Sequence, residues 1–219
     1  MIIPLPFDSS LFGYPVGKYQ VDKLWEEPDF LEKAQSFHLV YIFSKKPLPG
    51  ISNQIHLADI KLTFQKNLDK TQSKDPEINP FEGELTEPLL NLALESGVFS
   101  RFKNDPGFKN GEFEKLYRLW IKNASDQKEV LLAKNNEGFV SCHRSGEMAQ
   151  IGLIAVDKIK RGEGWGKRLV KASENYASNH GAKFLTIGTQ QANIPAVNLY
   201  QSLGYEMVEK VFVYHYWKS

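Results

Sequence analysis

The last quarter of the chain constrains the fold more than any other part. Ile151-Gly152-Leu153-Ile154-Ala155-Val156 is a short apolar run of strand length. It is followed by the glycine-rich segment Arg161-Gly162-Glu163-Gly164-Trp165-Gly166. The spacing then predicts a helix to about His180, with Leu169, Ala172, Tyr176 and Ala177 on one face and Gly181 as its stop. Residues 183–188 read as the next strand. Asn193 caps a further helix with Pro195 in its first turn, and Gly204 closes it. Residues 205–217 alternate around Val208, Val211, Val213 and His215 as a final strand or strand pair. A strand, a glycine turn and a helix start form an anion cradle. Glycines let the backbone come close, and the free N–H groups of the helix N-terminus point at the anion. Lys167 and Arg168 add positive charge in the first turns.

Two phosphate motifs are excluded by letter. A P-loop needs Gly-Lys followed by Ser or Thr, whereas Gly166-Lys167 is followed by Arg168. A dinucleotide fingerprint needs a third glycine where Lys167 stands, and the acidic residue expected about 20 positions later is missing. The cradle is therefore not read as one for ATP, GTP or NAD.

The rest of the chain reads as α/β. Strands are expected at 17–22, 39–43 and 56–64, with a helix at 29–37. Residues 66–88, polar and carrying Pro76, Pro80 and Pro88, read as a connector. A soft boundary near Gly83 divides a smaller N-terminal α/β unit (1–83) from a second domain (84–219). In the latter, helices are expected at 87–95 and 112–123, flanking a loop at 99–110. Strands at 129–133, 138–143 and 149–156 form an antiparallel meander turned at Asn135-Asn136 and Ser145-Gly146.

Composition narrows the function classes. The 27 Lys and Arg against 26 Asp and Glu leave a formal net charge of +1, without the basic footprint of a nucleic-acid binder. Hydrophobic residues at 42% exclude wholesale disorder. Cys142 is the lone cysteine, so no internal disulfide forms, and it reads as a small buried hydrophobe. The five histidines show no ligand spacing, so no metal is expected. No apolar run reaches membrane-helix length, and the start lacks the basic region of a signal peptide. The cytoplasm is the expected location, with no nucleic-acid or membrane partner. Association into a homodimer is left open.

Arg161-x-x-Gly164-x-Gly166 after a strand resembles the acyl-CoA pyrophosphate loop of the GNAT acetyltransferases. Asn193 and then Asn198-Leu199-Tyr200-x-x-x-Gly204-Tyr205 resemble that family's second signature. Further blocks are similar to the dTDP-fucosamine acetyltransferase subgroup. They are Phe7-Asp8-Ser9-Ser10-Leu11-Phe12-Gly13, Ser100-Arg101-Phe102 with Asp105, Leu116-Tyr117-x-x-Trp120-Ile121, Ile151-Gly152-Leu153, Thr189-Gln190-x-x-Asn193 and Tyr214-His215-Tyr216-Trp217. Residues 44–84 carry only the looser Ala58-Asp59-Ile60-Lys61.

The resemblance implies a GNAT fold, with a mixed, largely antiparallel sheet flanked by helices. It implies transfer of acetyl from acetyl-CoA to the amine of a nucleotide-linked 4-amino-4,6-dideoxy sugar, by direct attack in a ternary complex. Ile154, Ala155 and Val156 would meet the pantetheine arm through their backbone. Arg161, Gly162, Gly164, Trp165, Gly166 and Lys167 would hold the pyrophosphate, and Asn193 the pantetheine or acetyl region. Tyr200 would protonate the departing sulfur. Taken from the residues alone, Trp165 reads as core, Asn193 as a helix cap and an inward Tyr200 as packing. Arg101 is the candidate for the nucleotide diphosphate, and Phe12, Tyr14 and Gln190 are further substrate contacts. The base is left open among Asp105, Glu112 and His143, each with a simpler structural role. Another small-molecule or peptide amine, or a non-catalytic acyl-CoA-binding module, is the alternative.

Overall fold

The computed structural model describes residues 1–68 and 74–218. In chain order its elements are β1 (Ile3–Pro4), α1 (Pro6–Phe12), β2 (Val16–Val21), α2 (Glu27–Ala34), β3 (Leu39–Ser44), β4 (Ile55–Asn67), β5 (Ile78–Pro80), α3 (Glu87–Ser96), α4 (Arg101–Asn104) and α5 (Glu112–Asp126). They continue as β6 (Val130–Ala133), β7 (Gly138–Ser145), β8 (Met148–Val156), α6 (Trp165–Asn179), β9 (Phe184–Gln190), α7 (Ile194–Ser202) and β10 (Glu206–Trp217).

The strands form one sheet in the order β1-β2-β3-β10-β4-β9-β8-β7-β6-β5. Only β2/β3 and β8/β9 are parallel among the described pairs, so the mixed, largely antiparallel sheet is borne out. The described residues of 1–83 do not build a sheet of their own. β4 lies between β10 and β9, so strands from both sides of Gly83 interleave. The end of the 66–88 connector also departs from the loop reading, since β5 pairs with β6. Pro80 is tolerated there because β5 is an edge strand. Positions 69–73 of that connector lie outside the described residues. The 99–110 loop contains the one-turn helix α4.

Helices cover both faces. On α6 the buried residues Trp165, Leu169, Val170, Ser173 and Ala177 recur at helical spacing and pack with α7 against one face. On α5, Phe113, Leu116, Tyr117 and Ile121 do the same on the other face, beside α3. β3 is buried on both faces, with Leu39 and Tyr41 toward α5 and Val40 and Ile42 toward α2. No helix among the described residues is long and apolar enough to cross a membrane.

One irregularity shapes the middle of the sheet. Val140 pairs with Ile154 and Cys142 with Ile151, so β8 carries an extra residue, a β-bulge. Ala149 and Ile151 pack on the α6 side, and past the bulge Leu153 and Ala155 turn to the α3–α5 side. The Leu153 N–H freed by the bulge donates to the buried Ser141 hydroxyl at 2.8 Å. A Cβ at Gly152 would stand 3.0 Å from that oxygen, which explains the glycine inside a strand.

Candidate functional site

The parallel pairing of β8 with β9 stops at Ile151–Ile187, where the bulge begins. Beyond it β8 stays paired to β7 and β9 to β4. The two strands therefore part, and a wedge opens through the sheet. A cavity of about 730 Å³ occupies it, lined at the wedge by Gly152 to Val156 on one side and Gly188, Thr189 and Gln190 on the other. Each bank leaves toward the gap the main-chain groups that its missing partner would have engaged.

The helix start stands at one mouth. Gly162 and Gly164 adopt φ of +86° and +85°, the left-handed region that glycine enters without strain. Gly164 caps α6, leaving the first N–H groups of the helix free. A Cβ at Gly166 would lie 3.2 Å from Leu199, so glycine lets α6 and α7 approach at the wedge. Of the residues expected to hold pyrophosphate, Arg161 and Gly166 line the cavity. Arg161 spans from Glu95 Oε2 (3.1 Å) to the Val156 carbonyl (3.3 Å), and Lys158 pairs with Glu95 at 2.8 Å. Lys167 is exposed at the helix start. Glu163 turns to Lys160 at 3.5 Å. Two expectations are corrected. Trp165 is buried in the core under α6, with the Arg168 guanidinium stacked on it at 3.8 Å. Arg168 is itself held in a fork by Asp75 (2.7 and 2.8 Å) and by Glu77 (2.6 Å), so it ties the connector to α6 instead of facing the cradle.

Asn193 caps α7, its Oδ1 accepting from Ala196 N at 3.3 Å, and it also lines the cavity. Tyr200, about two turns further on, is 3% exposed and lines the cavity from the α6–α7 side. Phe64 packs on its ring at 5.9 Å. Burial pushes its phenol up, which keeps the proton on oxygen at neutral pH.

The other end of the cavity lies under α3, α4 and α5. It is lined by Lys18, Tyr41, Phe43, Asp59, Lys61 and Arg101, with Asp8 of α1 at the far side. Arg101 lies 5.1 Å from the Tyr41 ring centroid and 4.4 Å from that of Phe102, and its Nε is buried without a hydrogen-bond partner. Burial raises the Asp59 carboxyl to about 6, against the opposing pull of Arg101 and Lys61. Burial raises Asp8 as well, opposed by Tyr41 and Arg101.

Phe12 and Tyr14 are not on the cavity. Phe12 is 6% exposed among Phe102, Phe108 and Tyr14. Tyr14 lies beside His38 and Trp217 and donates to Glu112 at 3.2 Å. Gln190 is on the cavity at the end of β9. None of the three bases weighed from sequence reaches it. Glu112 also accepts from Asn110 N at 2.7 Å, and His143 pairs with Glu129 at the far end of β7. Asp105 latches the 99–110 segment to the sheet. Its carboxylate accepts from His215 Nδ1, Trp217 Nε1 (3.0 Å) and Gly107 N (2.8 Å), with His56 Nε2 at 3.1 Å. Burial would raise its carboxyl, but these donors outweigh it and hold it well below the usual carboxylate range. Burial lowers His215 to about 4, so it donates as a neutral imidazole.

Sequence reasoning missed the bulge and the floor of the cavity. Gly152 within an apolar strand was the available signal for the first. The second needed the register that brings β2, β3 and β4 under α4.

Residues 98–205 match the sequence model of the acetyltransferase (GNAT) family. Over 146 residues the chain is 24% identical to the spore coat polysaccharide biosynthesis protein SpsD of Bacillus subtilis, covering 64% of this chain and 50% of that protein. It is 29% identical over 99 residues to the mycothiol acetyltransferase of Corynebacterium glutamicum, covering 43% of this chain and 32% of that one. The chain thus spans about half and about a third of these curated relatives. A GCN5-related N-acetyltransferase from Sphaerobacter thermophilus superposes with a TM-score of 0.57 at 13% identity, over 86% of this chain and 64% of that one. By the matched residues, the superposition and the parted parallel strands of its sheet, this chain has the fold of the GNAT acetyltransferases.

Proposed function

We propose that the protein transfers the acetyl group of acetyl-CoA to the amine of a nucleotide-linked 4-amino-4,6-dideoxy sugar. One observation carries this reading. A single cavity runs from a backbone-lined wedge containing Tyr200 to a pocket where Lys18, Lys61 and Arg101 face inward. The Bacillus relative, a spore coat polysaccharide biosynthesis protein, agrees with a sugar acceptor.

The residues fit an acyl-CoA. The wedge offers main-chain groups to an extended amide-bearing arm, and the glycine turn offers free N–H groups to a diphosphate. When bound, acetyl-CoA supplies a thioester already activated for acyl transfer. The wedge holds that arm in line and excludes water around the carbonyl. Main-chain donors of β8 beyond the bulge face the region where negative charge develops on oxygen. The Tyr200 phenol, kept protonated by burial, delivers its proton to the departing sulfur. At the acceptor end, the unpartnered Arg101 Nε offers a charge-assisted hydrogen bond to a phosphate oxygen.

The test is CoA release from acetyl-CoA with a panel of dTDP-linked amino sugars, simple amines and a peptide N-terminus. Turnover is expected with the nucleotide-linked amines and with none of the others. Acetyl-CoA binding without CoA release from any amine would make the protein an acyl-CoA-binding module instead.

A further inference from the structure

We propose that Asp59 receives the ammonium of the acceptor and takes its proton, making it the general base of the reaction. The inference rests on the acetyl-transfer reading above. Among the described residues, three carboxylates line the cavity: Asp8, Asp59 and Glu95. Glu95 is committed to Arg161 and Lys158. Asp8 sits over β3, beside Tyr41 and Arg101. β3 is three strands from β9, ~14 Å away at the usual spacing. Asp59 is on β4, the strand next to β9, two residues beyond Lys61, which pairs with Gln190 at the end of β9. Of the three carboxylates it is the one carried by a strand beside the wedge, at its open end.

Its direction is fixed by its neighbours. Ile60 and Leu62 pack on the α6–α7 side with Tyr200, so Asp59 and Lys61 point to the opposite face. Tyr200 therefore meets the wedge from one face of the sheet and Asp59 from the other. A donor entering by α6 and an acceptor entering under α4 would meet between them. Among the described residues, no cation lies within ion-pair distance of the Asp59 carboxylate. It is a half-buried anion with room for one.

A carboxylate in water is too weak a base to strip an ammonium group efficiently. Burial raises Asp59 to about 6, closer to the range where a base works at neutral pH. The charged and titratable groups facing it are Arg101 from α4, Tyr117 from α5 and Lys61 from its own strand, with Asp8 and Lys18 further along the cavity. The cations Arg101 and Lys61 lower the proton affinity of an amine held beside them, narrowing the gap from the other side.

The ammonium gives one proton to Asp59, and the freed lone pair forms the C–N bond to the acetyl carbon. The C–S bond breaks, and sulfur leaves with the Tyr200 proton. The second nitrogen proton restores the Tyr200 phenol through water. Asp59 passes its proton to solvent, so each turnover releases one proton.

Asp59→Asn is expected to lower kcat/KM by about 100-fold or more. It should also abolish the fall in kcat/KM that the wild type shows as pH drops below about 6. Asp59→Glu should restore that limb and part of the rate. A second readout needs no turnover. By calorimetry the wild type should bind dTDP-4-amino-4,6-dideoxyhexose more tightly than the same nucleotide sugar with a hydroxyl at carbon 4. Asp59→Asn should lose that preference while its affinity for acetyl-CoA stays unchanged. The same acidic limb in Asp59→Asn, or an unchanged preference for the amine, overturns the assignment. A wild type that binds acetyl-CoA but neither binds nor acetylates the sugar nucleotide removes the functional reading, and Asp59 with it.

Discussion

The two ends of the cavity are built by opposite means. At the wedge, β8 and β9 offer main chain, and the glycines at 162, 164 and 166 matter for what they lack. At the acceptor end, Lys18 from β2, Tyr41 from β3, Asp59 and Lys61 from β4 and Arg101 from α4 converge as side chains. A site made of backbone tolerates exchange of its side chains but not of its conformation. A site made of side chains has the opposite sensitivity.

Tyr200 is the exception at the wedge, a side chain with a chemical task, and the largest effect is expected there. Tyr200→Phe keeps the ring packed on Phe64 and removes one proton donor. We expect kcat to fall about 100- to 1000-fold, with the acetyl-CoA dissociation constant unchanged within about twofold, measured by calorimetry. Unchanged turnover would remove the general-acid role. At the other end, Arg101→Ala should raise KM for a nucleotide-linked amine by about 10- to 100-fold, the loss of a charged hydrogen bond. It should leave acetyl-CoA affinity intact. A matching loss of acetyl-CoA affinity would show that Arg101 holds the fold and not a phosphate.

Within the wedge, conformation and side chain can be separated. Gly164→Val forces a β-branched residue into φ of +85°, a strain of about 1–3 kcal/mol. Acetyl-CoA affinity should drop about tenfold as the turn relaxes to another shape. Ile154→Val changes a cavity-lining residue and keeps the strand, so affinity should barely move. If the two variants bind alike, the cradle is not made of main chain.

The same contrast explains what the sequence could reveal. A backbone site writes itself in glycines at fixed spacing, and the segment from Arg161 to Gly166 was readable for that reason. So were the cap at Asn193 and the inward Tyr200, because helix periodicity is local. The meander and α5 were legible from turn residues and apolar spacing. The acceptor end was not. Asp59 and Lys61 alternate on a weakly patterned strand, and nothing local says that β4 runs between β10 and β9. Phe12 and Tyr14 misled for a related reason: exposed aromatics in a terminal segment look available until Phe108 and Trp217 cover them. The Asp105 latch joins residues 110 positions apart in sequence, so only the fold brings His215 to it.

That latch gives the smallest expected effect and ties stability to the acceptor end. His215 is fully buried and lowered to about 4, against about 6.5 for an unfolded histidine. Between those values the unfolded chain binds more protons than the native one. The contribution of His215 is therefore present above about pH 6.5 and drains away as pH falls toward 4. Asp105, also held low, adds a loss of the same sign below the usual carboxylate range. His56, raised by the Asp105 carboxylate, works the other way, but its side chain is 41% exposed and water screens it. Asp59 and Asp8, raised by burial, also work the other way over this window, so the contribution of His215 is read as a difference between variants. His215→Phe should start lower, having lost a donor to Asp105, yet lose less Tm than the wild type between pH 6.5 and 4.5. Wedge variants such as Gly164→Val should keep the wild-type slope, because they lie outside the latch. A His215→Phe protein with the full wild-type slope would mean that the imidazole is not the group titrating, and that the acceptor loop is held by Trp217 and Gly107 alone.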